Sequence, residues 1–138
     1  MLVASQPTGA PTWFPCNDIP SDKATYRLEF TADPEYTVVS GGAATRSTQR
    51  GRTRWTFDQP VPTATYLMTV QLGQYDDDRV ELGATPGRLF HPRALAPRVR
   101  SDFAALPQMM ETFVEAFGPY PYCLLYTSDA ADDLLCVD

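Results

Sequence analysis

The 138-residue chain carries 43% apolar and 12% aromatic residues, enough to bury the core of one domain and inconsistent with a disordered chain. No apolar run reaches the ~18 residues that mark a membrane-spanning helix, so a membrane partner is not expected. Four aspartates of residues 123–138, with no base among them, contribute most of the net charge of −6; the remainder is nearly neutral and shows no electrostatic footprint for nucleic acid.

Thirteen prolines against eight glycines predict many turns and short strands. The opening Met1-Leu2-Val3-Ala4-Ser5 lacks a basic segment and reads as an internal start rather than a leader. Residues 1–12 are small, polar and turn-rich. Trp13-Phe14-Pro15-Cys16-Asn17-Asp18-Ile19-Pro20-Ser21-Asp22-Lys23-Ala24-Thr25-Tyr26 begins with apolar bulk and then turns irregular. Pro15 and Pro20 fix φ and remove donors, while Asn17, Asp18, Ser21 and Asp22 suit bonds to nearby backbone N–H groups. The stretch predicts a rigid double turn feeding a strand.

Thr25 to Thr31 alternates, with Tyr26, Leu28 and Phe30 on one face and Arg27 and Glu29 on the other. A second strand is expected over 36–40, ended by Gly41-Gly42, and a weak one over 43–48. Gly51 marks a hairpin tip, and Arg52 to Phe57 alternates again with Trp55 and Phe57 inward. Pro60 and Pro62 are expected to break that strand, and Thr63 to Leu72 reads as one long strand. Asp76-Asp77-Asp78 reads as a solvated turn before a short strand at 80–82, with an extended piece at 89–91. Short strands with tight turns indicate a mainly β fold, an antiparallel sheet or sandwich. The period then changes. Val99, Phe103, Leu106, Met110, Phe113 and Phe117 form one apolar helical stripe of core character. Pro107 either kinks that helix or follows a short turn, the helix then starting near Leu106, and Gly118-Pro119 ends it. The expected organisation is a β-rich part over 1–97, a helix within 98–122 and a separate tail over 123–138.

The Trp13–Tyr26 stretch resembles a signature of the amino-terminal domain of zinc aminopeptidases of the aminopeptidase N family, which includes the leukotriene-epoxide hydrolase branch. Phe117-Gly118-Pro119-Tyr120-Pro121-Tyr122 is similar to a second family pattern that closes the first helix of the catalytic domain. The resemblance covers about residues 3–122, with Ile19 standing where the family most often has His or Glu. It implies a saddle-like β domain that caps one side of a peptide-substrate cleft, followed by the first helix of a catalytic domain missing from this sequence. Removal of amino-terminal residues from peptides would use zinc in the parent enzyme. Of the family's residues only Gln6, nine before Pro15, is carried over: the resemblance implies that its amide hydrogen-bonds the bound amino-terminal residue.

The family's Gly-x-Met-Glu-Asn and His-Glu-x-x-His motifs are absent. A zinc site of that kind needs two imidazoles one helical turn apart, and the chain has one histidine, His91. No catalytic residue, metal ligand or cofactor is therefore assigned to this sequence. The tail from Cys123 onward resembles translated sequencing-adapter read-through and reads as low in order or as a loosely docked helix.

Other chemistry-bearing residues take blander readings. Arg46, Arg50, Arg52 and Arg54, with Trp55 beside them, read as a solvated hairpin rather than a nucleic-acid surface. Asp76, Asp77 and Asp78 lack the alternating spacing of a calcium loop. Asp18 and Asp22 read as turn caps rather than an acid–base pair, and His91 as structural. Cys16 has no nearby base other than Lys23 to activate it and reads as buried filler. Three scattered cysteines, Cys16, Cys123 and Cys136, make no disulfide framework and point to a reducing, cytoplasmic compartment. An alternative to the aminopeptidase reading is an autonomous β-sandwich binding module, which would leave no apolar face open.

Overall fold

The computed structural model describes residues 2–3, 8–122 and 125–128. The chain divides into two compact units, residues 1–74 and 75–138.

The first unit holds six strands: β1 (Leu2–Val3), β2 (Lys23–Ala32), β3 (Thr37–Ser40), β4 (Ala43–Gln49), β5 (Arg52–Ala64) and β6 (Val70–Gly73). They form two antiparallel three-stranded sheets, ordered β1-β6-β3 and β2-β5-β4. Period-2 alternation places Trp55 and Phe57 of β5 inward, as expected. There they join Ala32, Val38 and Val70, with Leu28, Phe30, Tyr36, Leu72 and Trp13 packed around them. The unit is thus a small sandwich whose interior comes from facing sheets. Full burial of each large side chain contributes about 1.5–3 kcal/mol, so these aromatics dominate its stability.

The turn between β4 and β5 is Arg50-Gly51, with φ of 51° and 78°. Two positive φ values in a two-residue loop match the twist of a β-hairpin. Only glycine suits position 42: its φ is +100°, and a Cβ there would sit 2.4 Å from the Asp58 carbonyl oxygen.

The prolines behave differently from expectation. β5 does not stop at Pro60 but continues to Ala64. Its pairing with β2 jumps from Tyr26↔Gln59 to Ala24↔Thr63, so residues 60–62 bulge opposite Thr25 alone. β4 pairs with β5 only as far as Asp58. No ladder bond is therefore asked of either proline, which is where a strand tolerates them. The long strand expected over Thr63 to Leu72 is interrupted instead: Thr65–Leu67 is a 3-10 turn, and only Val70–Gly73 continues as β6.

The second unit contains β7 (Asp76–Leu82), β8 (Thr85–His91), helices α1 (Ala96–Asp102) and α2 (Leu106–Phe117), and β9 (Leu125–Ser128). β7 and β8 are antiparallel, and β9 runs parallel to β8. The aspartate run expected as a turn forms the first half of β7. Residues 125–128, expected to be low in order or helical, form a strand, while the rest of the tail lies outside the described residues. Pro107 lies in the first turn of α2, where its missing N–H costs nothing. The helix begins at Leu106 after a short turn, without a kink, and Gly118 ends it with φ 87° and a bond to the Val114 carbonyl. Val99 and Met110 of the predicted stripe are buried, but Phe113 and Phe117 are 55% and 83% exposed.

Candidate functional site

Gln6, the one substrate-binding candidate, lies outside the described residues. The nearest described segments, Leu2–Val3 and the chain from Thr8 onward, are held in place. Upstream, Leu2 and Val3 pair with Gln71 and Val70 of β6. Downstream, the Gly9 amide donates to Asp18 Oδ2 at 2.9 Å, and the Thr12 amide and hydroxyl both donate to the Gly9 carbonyl. The signature turn thus grips the chain three residues beyond Gln6.

That turn is held by its own polar groups. Asn17 Nδ2 donates to Asp22 Oδ2 at 2.8 Å, and the Asp22 amide donates to the Ile19 carbonyl. Thr65 Oγ1 donates to the Asn17 carbonyl at 3.1 Å, and the Tyr26 hydroxyl donates to the Thr63 carbonyl at 3.1 Å. Trp13, Phe14 and Tyr26 make successive edge-to-face contacts. Asp18 thus caps a backbone N–H as the sequence suggests, while the Asp22 carboxylate braces the turn through the Asn17 side chain rather than a backbone N–H. Burial and then the charge of Asp18 push the Cys16 thiol up from its ordinary value, which opposes thiolate chemistry. Burial likewise raises the Tyr26 phenol.

The four arginines near Gly51 do not form one patch. Arg46 pairs across the ladder with Trp55, and its guanidinium lies 5.7 Å from that ring's centroid on the inner side of the sheet. Arg52 and Arg54 occupy the opposite face: Arg54 bonds Glu29, and Arg52 Nε lies 3.3 Å from Asp33 Oδ1. The Arg54 contact holds the Glu29 carboxyl below its ordinary value. Trp55 is buried, so its ring is not available to stack a base.

One cluster in the second unit is not visible as such in the sequence. His91 is 1% exposed; its Nδ1 lies 3.1 Å from the Pro92 carbonyl oxygen and its Nε2 3.3 Å from Asp78 Oδ2. Arg100 of α1 grips the same carboxylate with Nε at 2.8 Å and Nη2 at 3.1 Å. Arg100, followed by His91, holds Asp78 below its ordinary value despite the opposing effect of burial. The aspartate run is thus drawn into the strand by cations: Asp77 likewise pairs with Arg88 on β8. Among the described residues no group of three or more His, Cys, Asp or Glu side chains is placed to hold a metal.

With this geometry in hand, the comparisons define a class. Residues 2–67 match the family described as the Peptidase M1 N-terminal domain. Human glutamyl aminopeptidase is 40% identical over 73 residues, 51% of this chain and 8% of that protein. Leucine aminopeptidase 2-2 of Scheffersomyces stipitis is 37% identical over 73 residues, 53% of this chain and 11% of that protein. Among solved structures, the M1 zinc metallopeptidase of Deinococcus radiodurans superposes with a TM-score of 0.78 at 26% identity, covering 92% of this chain and 31% of that one. A two-domain M1 zinc metallopeptidase bound to L-arginine gives a TM-score of 0.81 with the same coverage. This chain carries the amino-terminal domain of M1 aminopeptidases. It spans about a tenth of the curated relatives and about a third of the solved chains.

Proposed function

We propose that this chain serves as the substrate-side domain of a zinc-dependent aminopeptidase that removes amino-terminal residues from peptides. Residues 1–97 would cap one side of the cleft, and residues 98–122 would begin the catalytic domain that completes it. Gln6 would offer its amide to the amino-terminal residue of the peptide. The observation that supports this reading is that the described segments nearest to that position, Leu2–Val3 and the chain from Gly9 onward, are held by β6 and by the Asp18–Gly9 bond.

Zinc would be held elsewhere in the parent enzyme, because the donors here do not fit it. His91 is the one imidazole of the sequence, and both its nitrogens already face oxygen partners, one of them an aspartate engaged by Arg100. No step of peptide hydrolysis is assigned to this chain. The open face of α2 supports the missing catalytic domain as partner. Met109, Phe113 and Phe117 are all at least half exposed, as expected of a helix built to be covered and not of a finished module. A cytoplasmic location is part of the proposal, resting on the three scattered cysteines of the sequence. No helix among the described residues is long and apolar enough to cross a membrane.

The test has two parts. The purified chain with zinc and an aminoacyl-naphthylamide should show no turnover, and clear turnover would overturn the division of labour. In the parent enzyme Gln6→Ala should lower kcat/KM about tenfold, the loss of one substrate hydrogen bond to a charged group. Unchanged kinetics would remove Gln6 from the site.

A further inference from the structure

The outer face of the β2-β5-β4 sheet has no role in the reading above. There Glu29, Thr31, Gln49, Arg52 and Arg54 join Arg50 of the hairpin turn around a surface pocket of about 470 Å³. That volume falls in the range of small-ligand sites, roughly 300–1,000 Å³. Three guanidinium groups against Glu29 of the lining and the neighbouring Asp33 that Arg52 engages leave the face net positive, on a chain whose overall charge is −6.

The arginines differ in how far they are engaged. Arg54 bonds Glu29, and Arg52 bonds Asp33 and the Thr31 carbonyl, all at the exposed surface. Such pairs are weak in water and exchange readily. Arg50 makes no hydrogen bond or ion pair among the described residues. It also occupies the left-handed region, φ 51°, at a turn position that favours asparagine or glycine. Hairpin stability alone does not account for an arginine there. Departures from local preference of this kind concentrate where a side chain serves a ligand.

We propose that this pocket binds a small diphosphate-bearing anion. Planar guanidinium forks match phosphate oxygens two at a time. Arg50 would supply the uncommitted fork, Arg54 a second after releasing Glu29, and Arg52 and Gln49 further donors. Trp55 is buried on the other side of the sheet, so the pocket offers no aromatic platform for bases and suits a compact anion better than a nucleic-acid strand.

The probe is inorganic pyrophosphate, titrated at low salt into the whole chain and followed by amide and arginine side-chain NMR. Saturable shifts should centre on Gln49, Arg50, Arg52, Arg54 and Thr31. Arg50→Asn, which suits the left-handed turn and should keep the melting temperature or raise it, should weaken binding about tenfold, as expected for loss of a charged hydrogen-bonding partner. Absence of shifts at millimolar pyrophosphate would overturn the proposal, as would equal binding by Arg50→Asn. Tighter binding of a single-stranded oligonucleotide at the same residues would overturn the small-anion assignment.

Discussion

The two units treat their aromatic residues in opposite ways. In the first, Trp55 and Phe57 stack between facing sheets and are buried; in the second, Phe113 and Phe117 touch each other on α2 while both stand exposed. The same residue type at equally regular spacing is interior in one place and surface in the other. The difference is one of partners. A strand face in the sandwich meets a second sheet made from its own unit, whereas the outward face of α2 lines an open groove with Pro119, Tyr120, Pro121 and Leu125 that leaves Phe113 and Phe117 exposed. Apolar periodicity therefore reports that a face is built to be covered, and leaves open by what.

Four substitutions probe the two units, beginning with the largest effect. Trp55→Ala should cost about 3–5 kcal/mol, as for other large-to-small changes in a closed core, read as a fall in the urea midpoint. A loss below 1 kcal/mol, a lower bound taken from the usual cost of core truncation, would mean that the sandwich is not closed around the indole. His91→Ala in the second unit should cost about 2 kcal/mol, since it empties a buried site and removes a partner of Asp78.

The same cluster makes a pH prediction. Arg100 and His91 lower the Asp78 carboxyl in the folded chain, so the folded state releases its proton more readily than the unfolded state does. The resulting stability is complete above the ordinary aspartate value, about 3.9, and is lost as pH falls through the lower folded value. Asp78→Asn should flatten that acid limb in a thermal-melt series; an unchanged limb would place the acid sensitivity elsewhere, for example at Glu29, whose carboxyl is lowered by Arg54. The smallest effect belongs to the open helix. Phe117→Ser should change stability by no more than about 0.5 kcal/mol yet reduce binding of a hydrophobic dye. A large destabilisation would show that this face is already covered in solution.

Much of the fold was legible. The alternating segments at Thr25 to Thr31 and Arg52 to Phe57 and the hairpin tip at Gly51 follow from local chemistry, whereas the choice between a kink at Pro107 and a helix starting at Leu106 needed the folded chain. What stayed hidden depends on residues far apart in the chain. The proline rule was sound, but the bulge that accommodates Pro60 and Pro62 is set by pairing with Ala24 and Tyr26, more than thirty residues upstream. The Asp76–Asp78 run looked solvated because its cations, Arg88 and Arg100, lie 11 and 22 residues downstream. For the candidate site, the backbone-capping role of Asp18 was readable from residue type, while the Asp22 carboxylate instead takes the Asn17 side-chain amide. That Asp18 reaches back to Gly9, and so steadies the chain leaving Gln6, needed the folded turn.

The bulge in β5 has a further consequence, for how the sandwich chooses one pairing among several. Thr53, Trp55, Phe57 and Gln59 alternate so regularly that β2 could slide along β5 by two residues and still bury an apolar set. Such a slide would carry the proline-bearing segment out of its loop and into the ladder, where Pro60 and Pro62 have no hydrogen to give. The two prolines thus act as a one-way stop: the slide that would set Pro60 and Pro62 opposite Arg27 and Thr25 costs ladder bonds that the observed alignment keeps.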